Sequence, residues 1–227
     1  MEGKEEIVEK HPLAIRWFHW VNFPILALMI WSGLLIYWAS SVYNIKIGNT
    51  VIFHFFPKEF FTALGIPYRL AEGMNLHFFF MWFFFFNGII YVLYLIFSKE
   101  YKYLLPQKRS FKEAFQVVLY DLKIRKTKPE QTKYNAAQRI AYTLVILMGV
   151  GSLLTGLAIY KPVQLSGLTY IFGGYSNARI IHFVLTILFC LFFLVHVIQV
   201  ILAGWQNFIA MVRGFEVNKK KKIKDEE

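Results

Sequence analysis

The 227-residue chain contains a single cysteine, Cys190, and that scarcity excludes several kinds of site at once. One thiol forms no internal disulfide, no thiolate zinc site and no four-cysteine iron–sulfur cluster, and no C-x-x-C-H is present to attach haem covalently. Charge is also scarce, at 17% of residues against about 25% in ordinary soluble domains. Apolar residues reach 57%, with 24 phenylalanines, and they are concentrated in charge-free stretches. A chain with so little polar surface is expected to form a single integral membrane domain over residues 1–227. The first eleven residues carry four glutamates and no small-residue cleavage site follows, so the first apolar segment is expected to be retained rather than removed as a signal peptide.

A helix crosses the hydrocarbon core with about 20 mostly apolar residues, and four stretches qualify: 17–38, 75–97, 136–160 and 179–204. The expected fold is all-α, a four-transmembrane-helix bundle with interfacial helices. A formal charge of +11 would suit a nucleic-acid partner, but the basic residues lie between the spans, so membrane topology explains them and no nucleic acid is expected. Twenty Lys and Arg fall on the side of the termini and the central connector, counting Arg139. Five, namely Lys46, Lys58, Arg69, Lys161 and Arg179, fall on the other. That asymmetry predicts a multi-pass protein of the cytoplasmic (inner) membrane with both termini in the cytoplasm. The lysine-rich tail is expected to be a solvated end held near anionic lipid. Between residues 110 and 125, Phe111, Phe115, Val118, Leu119 and Leu122 recur at helical spacing, predicting an interfacial helix on the cytoplasmic face. Residues 51–64, interrupted by Pro57, are too short to span and are expected along the outer surface, where they help dock a partner.

Four of the six histidines, His19, His77, His182 and His196, lie within spans, where an ionisable side chain marks a functional site by default. Taken singly, each is equally well explained by an interhelical hydrogen bond. Their arrangement argues otherwise. His182 and His196 are fourteen residues apart on span four, which is about 21 Å along the axis and about 40° short of whole turns, so both rings share one face at two depths. His77 begins span two at the depth of His182, and His19 begins span one at the depth of His196. Each pair offers two imidazoles from facing helices, the donor set that clamps a b-type haem without thioether links. Zinc fits poorly, because each pair lacks a third and fourth ligand. Arg16 and Arg179 each precede a histidine by three residues and share its helix face. They are candidates for haem propionates, or simply for anchoring span ends at the headgroups. No nucleophile–base pair or open metal site is visible, so no substrate chemistry of its own is expected.

These features resemble the bacterial cytochrome b561 / nickel–iron hydrogenase-type cytochrome b subunits, with relatives in formate dehydrogenase gamma subunits and thiosulfate reductases. The resemblance rests on Arg16-Trp-Phe-His19-Trp20, His77, Tyr134-Asn135-Ala-Ala-Gln138-Arg139, Gly156 in T-G-L-A-I-Y, and Arg179-Ile-Ile-His182 with His196 beyond. It implies two b haems ligated in the pairs His77/His182 and His19/His196, exchange with quinone, and an extracytoplasmic redox partner of molybdopterin, iron–sulfur or hydrogenase type. The branch accompanying periplasmic molybdopterin oxidoreductases is the most similar. It also implies a quinone site beside the cytoplasmic haem at Asn135 and Gln138, whose amides share a helix face, although Asn135 equally suits the cap of span three. Two other classes stay open at this point: a haem-free anchor or transporter using buried histidines, and a stand-alone transmembrane haem reductase.

Overall fold

The computed structural model describes residues 5–39, 43–127 and 134–219. Four long helices dominate: α1 (Leu13–Tyr37), α3 (Leu70–Phe97), α6 (Ala136–Tyr160) and α8 (Tyr175–Ala203), each long and apolar enough to cross a membrane. They extend the expected spans by up to a turn and a half at their starts, because helix formation continues past the apolar stretch into the interface. Phe79, Phe83, Phe86, Leu188 and Ile201 project outward from the helices, as they should where the surroundings are lipid rather than water.

The spans associate in two close pairs, α1 with α3 and α6 with α8. Glycine permits the first contact, since a Cβ at Gly73 would meet Leu35 Cβ at 2.7 Å and the Ser32 carbonyl oxygen at 3.1 Å. Small residues at such contacts compensate for the missing hydrophobic drive between helices in lipid. A polar clasp, Asn87 Nδ2 donating to Asn22 Oδ1 at 2.8 Å, joins the same two helices. Aromatic contacts such as Phe78 on Tyr160 link α3 to α6, and Phe23 on Phe193 links α1 to α8.

The two ends of the bundle are built differently. At the terminal end, β1 (Glu5–Glu9) pairs antiparallel with β4 (Phe215–Lys219), which follows α9 (Trp205–Arg213), so both ends of the chain meet there. The stretch expected to begin a solvated tail thus starts as a strand; residues 220–227 lie outside the described residues. At this end α5 (Ser110–Asp121), preceded by the short α4 (Tyr101–Leu104), seats Val117 against the protein and leaves Phe111, Phe115 and Val118 exposed along one side. This is the form expected of an interfacial helix.

At the opposite, hairpin end, β2 (Asn44–Ile47) and β3 (Thr50–His54) form a two-stranded ribbon. Gly48, at φ +58°, opens its two-residue turn, a conformation that side chains resist. Pro57 leads directly into α2 (Lys58–Ala63), and Leu35, Phe61 and Ile66 form a small buried core beneath it. A short helix, α7 (Ser166–Ile171), connects α6 to α8 at the same end.

Candidate functional site

Two histidine pairs lie inside the bundle at different levels. Nearer the hairpin end, the rings of His77 on α3 and His182 on α8 are 6.2 Å apart between centres. Nearer the terminal end, those of His19 on α1 and His196 on α8 are 6.0 Å apart. The pairing is the one expected from the depths of the four residues along their helices. His11 and His54 join neither pair, and His54 lines a cavity of about 460 Å³ at the hairpin end together with Tyr37, Trp38, Phe56 and Tyr68.

The hairpin-end pair is held by hydroxyls from the two remaining spans. Ser32 Oγ on α1 lies 2.9 Å from His77 Nδ1 while donating its own proton to the Met29 carbonyl at 3.0 Å. Thr155 Oγ1 on α6 lies 2.9 Å from His182 Nδ1 while donating to the Gly151 carbonyl at 2.7 Å. With its proton on the helix carbonyl, each hydroxyl accepts from its histidine. That arrangement would put the ring proton on Nδ1 and leave the lone pair on Nε2. Ser32 and Thr155 are fully buried, which makes these bonds stiff supports for the rings. Glycine keeps space beside them, since a Cβ at Gly33 would sit 3.8 Å from His77 Cε1 and one at Gly156 3.4 Å from His182 Cε1.

The terminal-end pair is held by rings instead. Trp20 meets His19 edge-on at 4.9 Å, and Phe192 stacks on His196 at 5.7 Å with the planes 12° apart. His19 Nδ1 is buried without a hydrogen-bond partner.

The separations fit a metal held axially between the rings. A metal–imidazole bond of about 2 Å on each side, with about 1 Å from nitrogen to ring centre, puts two axial rings about 6 Å apart. Among the described residues no group of three or more His, Cys, Asp or Glu could hold a bare metal ion. Two donors per site and an apolar surround, with glycine clearance beside the hairpin-end pair, suit a planar macrocycle that would supply the other ligands.

The two arginines have protein partners. Arg16 Nη1 donates to the Val212 carbonyl at 2.7 Å, and its guanidinium packs on Gly214, where a Cβ would come within 2.9 Å of Cζ. It thereby closes the end of α9. Arg179 Nη2 lies 3.3 Å from the Tyr43 hydroxyl, and its guanidinium sits over the rings of Tyr43 and Tyr175.

Asn135 and Gln138 form a capping box on α6. Asn135 Oδ1 accepts from the Gln138 amide at 2.8 Å, and Gln138 Oε1 accepts from the Asn135 amide at 3.0 Å. Both carbonyl oxygens are used, whereas the two NH2 groups remain as donors. Beside them Tyr134 packs against Tyr142 at 5.3 Å, and Tyr91 and Tyr94 pack on Phe18, next to His19. Burial first, then the neighbouring Tyr142 and Glu100, holds the Tyr134 phenol well above its ordinary range. Sequence reasoning missed Ser32 and Thr155, and it used Tyr134 only as part of the family motif. An isolated Ser or Thr in an apolar span is a weak signal, because its hydroxyl is equally satisfied by its own helix.

Comparison with known proteins agrees with the geometry. The family model described as prokaryotic cytochrome b561 matches residues 10–214. A relative from Azospira oryzae, which carries the name of a protein-methionine-sulfoxide reductase subunit (YedZ1), is 31% identical over 214 residues, 92% of this chain and 98% of the relative. Four membrane-length helices, two facing histidine pairs and a family match across nearly the whole chain lead to one conclusion: the protein belongs to the prokaryotic cytochrome b561 family, the membrane cytochromes b.

Proposed function

We propose that the chain is the dihaem membrane subunit of a quinone-linked oxidoreductase, carrying electrons between the quinone pool and an extracytoplasmic partner. The observation that carries this reading is the pair of ring separations, 6.2 and 6.0 Å, at two levels of one bundle. Each leaves the room that an iron between two imidazoles would need, and together they would offer two steps across the membrane. His77 and His182 would hold one haem b, and His19 and His196 the second. Haem bound there supplies reversible one-electron transfer. The chain's own residues keep the rings facing, through Ser32 and Thr155 at one level and Trp20 and Phe192 at the other.

The basic asymmetry supports placing the terminal end in the cytoplasm and the hairpin end outside, in the cell's inner membrane. On that orientation the NH2 groups of Asn135 and Gln138 offer hydrogen bonds to a quinone carbonyl at the level of the cytoplasmic haem. Arg16 and Arg179 stand one turn from their histidines, within the reach of propionates. The exposed β2–β3 ribbon and α2 form the face toward the partner. The Azospira relative's name, a reductase subunit, supports a soluble catalytic partner, and a molybdopterin enzyme fits best. On this reading substrate chemistry belongs to the partner, and this chain carries electrons.

Absorption spectra and haem quantification of the purified protein test the reading. Two haems per chain, titrating as bis-histidine centres and reducible by a quinol, are expected. A protein that folds without haem would overturn it in favour of an anchor or transporter.

A further inference from the structure

The cavity of about 460 Å³ at the hairpin end belongs to neither histidine pair, since none of His19, His77, His182 and His196 lines it. Its size falls within the range of about 300–1,000 Å³ common to small-molecule sites. Six of its ten lining residues are Phe, Tyr or Trp, so its walls suit a planar ring rather than an acyl chain. Those rings are ordered. Phe61 stacks on Tyr37 at 6.1 Å with the planes 22° apart and on Tyr68 at 5.7 Å with the planes 28° apart, and Trp38 meets Tyr68 edge-on at 5.2 Å. Phe61 is buried and the Tyr37 hydroxyl donates to the Phe55 carbonyl, which fixes this wall before anything binds. The polar part of the lining has one character. His54 and Lys58 bring hydrogen-bond donors, and no carboxylate is among the lining residues. The matching ligand is a flat ring that carries oxygen acceptors.

The position of the cavity indicates where such a ring comes from. Tyr37 is the last residue of α1, whose 25 residues extend about 37 Å, beyond a hydrocarbon core of about 30 Å. Trp38 and Tyr68, 39% and 44% exposed, therefore stand at headgroup level, within reach of a bilayer-borne molecule with a polar end. The inner wall faces the hairpin-end pair. Phe183, the residue after His182, packs on Tyr37 at 5.4 Å, on Phe55 at 5.2 Å and on Phe56 at 6.2 Å. We propose that this cavity is a second quinone site, which stacks the headgroup on the Tyr37–Phe61–Tyr68 wall and holds its carbonyl oxygens with His54 and Lys58. A quinone held there stands one aromatic ring from the hairpin-end pair, at the other end of the bundle from Asn135 and Gln138. The site extends the quinone-linked reading, but binding at it requires neither haem nor the Asn135 site.

The test uses the full-length protein in lipid nanodiscs and a short-chain ubiquinone bearing an aryl azide, photolysed with and without excess decylubiquinone. Mass spectrometry of the peptides should find the label within residues 37–68, and decylubiquinone should suppress it. Trp38→Ala, and a variant combining His54→Ala with Lys58→Met, should each lower that labelling severalfold. Tyr170→Ala, at an exposed aromatic position of the same end outside the cavity, should leave it unchanged. If Trp38→Ala fails to accumulate, the combined variant decides, because His54 and Lys58 are both exposed and their replacement removes no core packing. Label that is absent from residues 37–68, that decylubiquinone does not displace, or that the combined variant does not lower, overturns the site. A cavity that instead receives a segment of the soluble partner gives no label there, and the combined variant then weakens partner binding. Label within residues 134–142 is the separate mark of the Asn135 site. Found there alone, it refutes the second site and leaves the quinone-linked reading intact. Displaceable label at residues 37–68 in a protein that binds no haem refutes the dihaem reading and leaves the cavity site standing.

Discussion

The two histidine pairs have almost the same ring separation, 6.2 and 6.0 Å, yet they are supported by different chemistry. At the hairpin end, Ser32 and Thr155 hold both Nδ1 atoms through buried hydroxyls. At the terminal end the support is aromatic, from Trp20 and Phe192, and His19 Nδ1 has no partner. The first pair is oriented by directional bonds from all four spans. The second is oriented by ring packing and sits near the interface, beside the phenols of Tyr91 and Tyr94 and the α6 cap. A hydrogen-bonded pair resists reorganisation, while a packed pair adapts to what binds beside it. On the proposed function, the difference would suit a fixed relay at one end and an exchangeable substrate at the other.

Removing ligands should have the largest effect. His77→Ala and His182→Ala are each expected to eliminate one and the same haem, and His19→Ala and His196→Ala the other, so haem content falls from two to one per chain. Loss of the same haem in His77→Ala and His196→Ala would refute the pairing. His54→Ala and His11→Ala should leave both haems.

Closing the glycine clearance should act on one pair alone. Gly156→Val places a side chain against His182 Cε1, whereas Gly88→Ala meets nothing within 4 Å. Haem at the hairpin end should fall severalfold in the first variant and remain full in the second, measured by pyridine haemochrome and redox titration.

The quinone reading can be separated from the cap. Asn135→Asp keeps the oxygen that accepts from Gln138 and caps equally well, but it has no NH2 group. Quinol-driven haem reduction should slow by about tenfold, the equivalent of about one hydrogen bond, with spectra and melting temperature unchanged. An unaltered rate would remove Asn135 from the quinone site.

The hydroxyls should have the smallest effect. Ser32→Ala and Thr155→Val each remove an acceptor from a ring N–H, at a cost of about 1 kcal/mol in stability. A ring that no longer donates becomes a poorer electron donor to iron, so the hairpin-end haem should move to a more positive potential. The terminal-end haem should stay in place, and Ser32→Thr should restore the first. Equal shifts in both haems would show that the pairs are not independently supported.

Much of this site was legible because helix geometry is uniform. The spacing of His182 and His196 on one helix, with His19 and His77 at the starts of theirs, was enough to expect which rings lie together. The second support layer was not legible, since Ser32 and Thr155 resemble any small polar residue in an apolar span until their helices are placed. Arg16 shows the same limit. Its spacing from His19 pointed toward a haem edge, yet its guanidinium holds Val212 and Gly214, residues almost 200 positions away. The β1–β4 ribbon is hidden for the same reason, because neither strand has a partner near it in the chain.

The amino-acid sequence by itself determined the four membrane-length helices, the amphipathic helix between the second and third, and the positions of His19, His77, His182 and His196 along their helices. Bilayer thickness sets the length of an apolar run, and a constant rise per residue converts position into depth. Tertiary structure alone decided which hydroxyls support His77 and His182 and what Arg16 and Arg179 hold. Those outcomes depend on hydrogen-bond partners brought from other helices, and a linear order of residues contains no distances between helices.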